Sequence, residues 1–416
     1  MKHKQTASED IIDFCVQLSR KMIESGANIE RVQLANERIL GAYDFSDISL
    51  YLLSGHVSIG ARDRNDIYYS RQTSIPAAGI HLERLKRLNR LSFSVTANKP
   101  SPRRLMKMLE EACQTREYKD ITILISQTVA MSCLCLIFGG GFREVLTVIP
   151  VTAAIHYLFM LMGRFQLAPI VTNAFTMLAA TMLVMLAVLT GVTAKAPVIL
   201  ITAKMLLLPG IPLVNAVRNL LCSNEMNGIL QTAKVTVETA ALVVGIYGAL
   251  LIFGRNDLLS HTIVTPMTNP VFLLILSFLA SMNFGVVFRI PPHDLLRAGV
   301  GGLLTRAALL ITTPFISNRA AYIFIAALVG ALYAEVLAVK RRDPSTYFVY
   351  PAIIPLIPGD LLYYSVMGLY IGDRAMAEGN GYNCLLALVG MSVGFVLSSI
   401  IAHYVRKLSH LRMKAK

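Results

Sequence analysis

Two Pro-Gly dipeptides, Pro209-Gly210 and Pro358-Gly359, sit 149 residues apart inside long apolar stretches. Proline removes a helix hydrogen bond and glycine loosens the backbone. In hydrocarbon, the freed backbone groups are tolerated only where protein or a water-lined cavity satisfies them. Matched interruptions in two halves of a chain therefore point to a polar binding site near the bilayer midplane, with two ordinary helix kinks as the alternative. Asn215 and Arg218 follow the first break, and Asp360 directly follows the second. Folding can bring these donors and acceptors towards one cavity. Helix-end amides there would suit a carboxylate, and free carbonyls an ammonium. Arg218 is equally suited to marking the cytoplasmic edge of a span.

Few other ionisable residues fall within apolar segments. Glu238 lies about ten residues into its segment, roughly 15 Å deep in a hydrocarbon core of about 30 Å. Desolvation of such a carboxylate favours its protonated form, which is what proton coupling requires. Lys234, one turn earlier, can instead neutralise it as an i,i+4 pair. Lys204 and Arg306 must face protein or water, and Glu238, Glu335 or Asp360 are available as partners. Glu335, nearer a span end, reads as structural. His156 fits a histidine with one satisfied ring nitrogen, and Gln127, Asn173 and Asn283 fit helix-bridging amides. The glycines at 299, 301, 302, 390 and 394 suit close helix contact.

Composition sets the frame in which these residues work. The chain has 416 residues, of which 55% are hydrophobic, and its mean hydropathy is +0.57. That excludes an ordinary soluble globule. Residues 1–120 differ, with 19 Lys/Arg against 15 Asp/Glu and no uncharged run long enough to span a bilayer. The net charge of +14 divides as +4 in that segment and +10 beyond it, so the excess reflects membrane topology and not nucleic-acid binding. The polar start of the chain, with Glu9 and Asp10, is unlike a secretory signal. Six scattered cysteines without metal-ligand spacing imply free thiols, no metal and no cofactor.

The N-terminal segment reads as a cytoplasmic α+β domain. Two helices cover Asp10 to Tyr43 with a break at Gly26, strands run from Ser46 to Ile75, a helix carries Leu82 to Leu91, and a last amphipathic helix ends near Tyr118. Ten spans follow at about 121–138, 144–161, 168–190, 196–214, 228–253, 270–288, 294–314, 320–339, 346–370 and 382–404. With both termini inside, inner loops and tail hold twelve basic residues and outer loops five, as the positive-inside rule requires. Five spans per half is an odd number, so the halves (121–253 and 270–405) enter from opposite sides. The expected fold is a membrane all-α, 5+5 inverted repeat behind the domain at 1–120.

Gly26-Ala27-Asn28-Ile29-Glu30-Arg31-Val32, Gly79 to Leu85, Gly139-Gly140 and Pro209-Gly210-Ile211-Pro212-Leu213-Val214-Asn215-Ala216-Val217-Arg218 occur in that order. In this the chain resembles the threonine/serine exporter (ThrE-like) family, in a form that fuses its two halves. The resemblance implies an inner-membrane secondary exporter that moves threonine and serine outward at the expense of the proton motive force. The family pattern after the break continues Asn, then Arg followed by Asp. Here position 219 is Asn219, a neutral amide that cannot carry a proton. Some two-subunit relatives are associated with succinate-like dicarboxylates, which gives an alternative substrate class.

Two other classes are weaker. Asp47, Ser54 and His56 supply the residue types of a hydrolytic triad, but no Gly-x-Ser-x-Gly elbow surrounds Ser54. Deep charged residues also suit a channel, yet paired broken helices favour alternating access. The expected partners are a small-molecule substrate, protons and the lipid bilayer.

Overall fold

The computed structural model describes residues 7–75, 79–165, 167–193, 195–207, 210–222, 224–254, 267–341 and 343–414, the side chains of 370 and 406–414 excepted. Pro209, half of the first Pro-Gly dipeptide, lies outside them. The chain forms two compact units. One comprises Met1–Tyr118, Phe288–Pro292 and Val336–Phe348, and the other comprises the remaining segments.

In the first unit, helices α1 (Ala7–Glu24) and α2 (Ile29–Ala42) are separated by Gly26, whose φ of +91° is left-handed. That conformation is open to glycine at little cost and closes α1. Strands β1 (Ser46–Leu53), β2 (His56–Arg62) and β3 (Tyr68–Ser74) form an antiparallel sheet in chain order. Val57, Ile59 and Ala61 alternate along β2 and are fully buried, and α1 packs on β2 and β3. Ser54 lies in the turn between β1 and β2, and Asp47 faces Arg62 at 3.5 Å. Helices α3 (Leu82–Asn98) and α4 (Pro102–Cys113) complete the unit. The last helix therefore ends five residues short of Tyr118. Side chains explain the early end. Arg87 donates to the Gln114 carbonyl at 2.6 Å, and Glu117 is held by His81 at 2.8 Å, so 114–117 are tied to α3.

Two distant segments complete this unit. The amides of Leu82 and Glu83 donate to the carbonyls of Phe288 and Arg289, Tyr118 Oη donates to the Ile290 carbonyl at 2.6 Å, and Arg289 pairs with Glu117 at 3.3 Å. Asp343, with no exposed side-chain surface, pairs with Lys86 at 3.0 Å and Arg90 at 2.8 Å. The Lys86 ammonium also lies 4.6 Å from the centre of the Tyr347 ring.

From Asp120 onward the secondary structure of the described residues is helical: α5 (Asp120–Ile137), α6 (Phe142–Arg164), α7 (Pro169–Leu189), α8 (Ala196–Leu207), α9 (Gly210–Leu221), α10 (Glu225–Phe253), α11 (Pro270–Val287), α12 (Pro292–Thr312), α13 (Arg319–Arg341), α14 (Thr346–Ala352), α15 (Gly359–Ile371) and α16 (Arg374–Lys414), with a 3-10 turn at Ile354–Leu356. Among the described residues, eight helices are long and apolar enough to cross a membrane, α16 from Arg374 to Val405. Two further pairs are broken, α8/α9 bending by 63° and the α14/α15 segment by 43°, which gives up to ten spans.

Helix starts repeat along the chain. α11, α12, α13 and α14 begin 150 positions after α5, α6, α7 and α8, whereas α15 and α16 begin 149 positions after α9 and α10. The spacing of 149 read from the Pro-Gly pair thus applies from the breaks onward. Side-chain contacts keep the same register. His156 Nδ1 on α6 lies 2.8 Å from Gln127 Oε1 on α5, and 150 positions later Arg306 Nε on α12 donates to Ser277 Oγ on α11 at 3.0 Å. A Cβ on Gly245 of α10 would strike the Ala174 carbonyl and the Leu178 amide of α7; one on Gly394 of α16 would meet the Phe324 carbonyl and Leu328 amide of α13, each at 3.0 Å. Gly299, Gly301, Gly302 and Gly390 likewise sit against neighbouring side chains or backbone. Asn283, expected to bridge helices, donates instead to Leu279 in its own helix at 2.8 Å.

Candidate functional site

The two breaks meet. A Cβ on Gly210, the first residue of α9, would come within 2.7 Å of Ile357 Cγ2, just before Pro358-Gly359. Leu213 and Val214 of α9 share one apolar cluster with Ile353, Leu356 and Leu361 around the second break, closed by Cys384, Leu388 and Met391 of α16. Interrupted helices can lie this close because Gly210 presents no side chain to the facing segment.

Lys204 occupies the junction. It sits on α8 and is 1% exposed, and its Nζ donates to the Gly359 carbonyl at 2.7 Å. That carbonyl belongs to the first residue of α15, beside the proline that breaks the helix. The ammonium also lies over the Tyr363 ring, 3.9 Å from its centre. A buried cation is costly unless paired, and a carbonyl plus an aromatic face offset only part of that cost. Of the three ammonium protons one is used at Gly359, and the other two have no hydrogen-bond acceptor among the described residues. Asp360 directly follows Gly359 in α15. Its carboxylate makes no hydrogen bond or ion pair among the described residues.

Other residues expected at the site are placed around or away from it. Pro358 precedes α15, and its carbonyl lies 3.9 Å from Cys384 Sγ. Asn215 on α9 donates to Tyr350 Oη on α14 at 3.1 Å, so it too bridges the two broken segments. Asn219 is engaged by Gln231 at 3.1 Å, and Arg218 is half-buried on α9. Glu238 on α10 is buried with Lys234 at 3.8 Å, the neutralising neighbour that sequence offered as its alternative. Arg306 bonds Ser277 and none of the expected carboxylates. Tyr363, Tyr350 and Ile357 were not legible beforehand. One faint signal for Tyr363 is its place one helical turn after Gly359.

A buried cation and the carboxylate that follows its carbonyl partner in the chain, both with unused hydrogen-bonding capacity among the described residues and set against interrupted helices, can hold a small zwitterion. Residues 13–253, more than half of the chain, match the family model ThrE, described as "Putative threonine/serine exporter". The chain belongs to the threonine/serine exporter family. A second model, "Threonine/Serine exporter, ThrE", matches residues 273–401, so both halves of this family member are covered. Over 135 residues the chain is also 33% identical to the "Probable succinate transporter subunit YjjP" of Escherichia coli (strain K12), a match covering 32% of this chain. The chain spans about half the length of that curated relative, 52%. No solved structure matches. The family is one of transporters, and eight helices, or up to ten segments, among the described residues are long and apolar enough to cross a membrane.

Proposed function

We propose that this chain is a secondary exporter of small zwitterionic amino acids, threonine and serine foremost. It sits in a bacterial inner membrane with both termini cytoplasmic and runs on the proton motive force. The carrying observation is the contact between Lys204 and Gly359 across the two breaks, with Asp360 next in the chain. A substrate carboxylate takes the free ammonium protons of Lys204, while its ammonium takes Asp360 and the carbonyls that the breaks release.

The matched helix starts and paired contacts support a 5+5 inverted repeat, with halves at 121–253 and 270–405 behind a cytoplasmic domain at 1–120. Parity adds to this. Tyr118 and Ile290 are hydrogen-bonded and therefore lie on one side of the membrane. Between them run five unbroken spans, α5, α6, α7, α10 and α11, which supports the bent α8/α9 pair as a sixth crossing. Both segments that join the first unit, Phe288–Pro292 and Val336–Phe348, contain loops that the charge asymmetry places inside.

A dicarboxylate is the second reading, favoured by the name of the YjjP relative. Asp360 counts against it, because a second substrate carboxylate would meet like charge. Glu238 is our candidate proton carrier. The test is exchange in vesicles reconstituted with the purified protein. Labelled threonine or serine should exchange against unlabelled, with net flux following an imposed pH gradient. Exchange of succinate without either amino acid would refute the assignment.

A further inference from the structure

Tyr363 carries a buried hydroxyl that nothing engages among the described residues. The residue is 3% exposed, and its phenolic oxygen has no hydrogen-bond partner among the described residues. Buried hydroxyls are rarely left this way. Serine and threonine in a helix can return the hydroxyl to the carbonyl four residues back, as Thr181, Thr202 and Thr239 do. A phenol is held too far from its own backbone for that and needs a partner from elsewhere. Its position narrows what the partner is. The ring that bears the hydroxyl lies under the Lys204 ammonium, and that ammonium touches the carbonyl at the second break.

We infer that Tyr363 is the specificity residue of the site, its hydroxyl hydrogen-bonding the β-hydroxyl of the bound amino acid. The inference rests on the reading of Lys204 as the carboxylate anchor. In threonine and serine the β-oxygen is three bonds from the carboxyl carbon, so a carboxylate on the ammonium face sets that oxygen beside the same tyrosine. Valine and alanine present a methyl or a hydrogen there and leave the phenol unpaired in a dry site. Such unpaired groups are the strongest means by which a pocket rejects an analogue that lacks a hydroxyl.

The experiment compares threonine with valine, and serine with alanine, in exchange by vesicles carrying wild type or Tyr363→Phe. Wild type should favour threonine over valine by on the order of 100-fold or more. In Tyr363→Phe the ratio should fall to within about threefold of one through loss of threonine affinity, with valine exchange retained. Melting of the purified protein gives a readout independent of transport. Substrate-free Tyr363→Phe should melt no lower than wild type, since it loses only an unpartnered hydroxyl, and threonine should raise its melting temperature no more than valine does. An unchanged threonine-to-valine ratio, or a lower melting temperature without substrate, would overturn the role of Tyr363 and leave the amino-acid assignment standing. Wild-type exchange of succinate with neither threonine nor valine would instead remove the amino-acid assignment beneath it.

Discussion

Lys204 Nζ donates to the carbonyl oxygen of Gly359 at 2.7 Å, joining one broken helix to the other across 155 positions of chain. The interaction holds a cation and the ends of two interrupted helices at one point. On the proposed function, a substrate bound there would change what Lys204 touches and so act on both halves at once.

Replacing Lys204 by methionine keeps the apolar stem and removes the charge. Loss of a charge-assisted hydrogen bond to a carboxylate costs about 1.5–3 kcal/mol, which is roughly a 10- to 100-fold loss of threonine affinity. Expression and elution volume should be unchanged, because a buried cation is replaced by a side chain that needs no partner. Isothermal titration with threonine measures the effect, and undiminished affinity would dismiss Lys204 as the anchor.

Glu238→Gln should abolish net flux driven by a pH gradient while leaving threonine exchange within about threefold of wild type, since exchange needs no net proton movement. Lys234→Ala is the companion variant. If the pair at 3.8 Å is only structural, both variants will transport in response to pH as wild type does.

The repeat predicts parallel responses at matched glycines. Gly245→Ala and Gly394→Ala both push a methyl into the backbone of the facing helix, at Ala174 and Leu178 or at Phe324 and Leu328. Each should cost about 1–3 kcal/mol and lower the melting temperature. Gly163→Ala in α6 meets nothing within 4 Å and should be neutral or stabilising by about 0.5–1 kcal/mol, as glycine-to-alanine changes in helices are. Calorimetry on the three variants is the check.

Asp343 is enclosed with Lys86, whose side chain is 8% exposed. Asp343→Ala strands a buried ammonium and should destabilise the first unit by about 3 kcal/mol. Adding Lys86→Met should restore most of the loss. Hydrogen exchange of the amides in α3 would report both effects.

His81 should give that unit a pH dependence. Its Nδ1 accepts from the Arg84 amide at 3.2 Å, which leaves the proton on Nε2, facing Glu117. Burial pushes the imidazole below its ordinary value; Glu117 opposes this, and the charges of Arg84 and Arg289 add to it. The unfolded chain therefore binds the proton first as pH falls, so this contribution is complete above about pH 6.5 and is lost below it. Melting temperature should drop between pH 7.5 and 5.5, and less steeply in His81→Gln.

Much of the architecture was written in local pattern. Ile11, Leu18 and Met22 at helical spacing marked α1, the alternation through Val57 and Ile59 marked β2, and Gly26 marked the turn between helices, because period and positive φ are properties of short segments. The end of α4 at Cys113 was not legible in that way. It depends on Arg87 and His81 capturing residues 114–117, and such captures leave no trace in spacing. The change of offset between the halves, from 150 upstream of the breaks to 149 from them onward, was not legible for a similar reason. Only the Pro-Gly dipeptides were recognisable as equivalent, whereas Gln127 with His156 and Ser277 with Arg306 share a geometry and no residue type.

The amino-acid sequence by itself determined that this chain has a polar domain and a long apolar remainder, that two helices in that remainder are broken, and which family it resembles. Those follow from composition, the missing hydrogen bond of proline, and motif order. Tertiary structure alone decided that the breaks face each other, that Lys204 reaches Gly359 and Tyr363 while Glu238 keeps to Lys234, and that Asp343 joins the first unit. Burial and partnership arise when segments more than a hundred residues apart are packed together, and no local pattern encodes which of several similar cations will be enclosed.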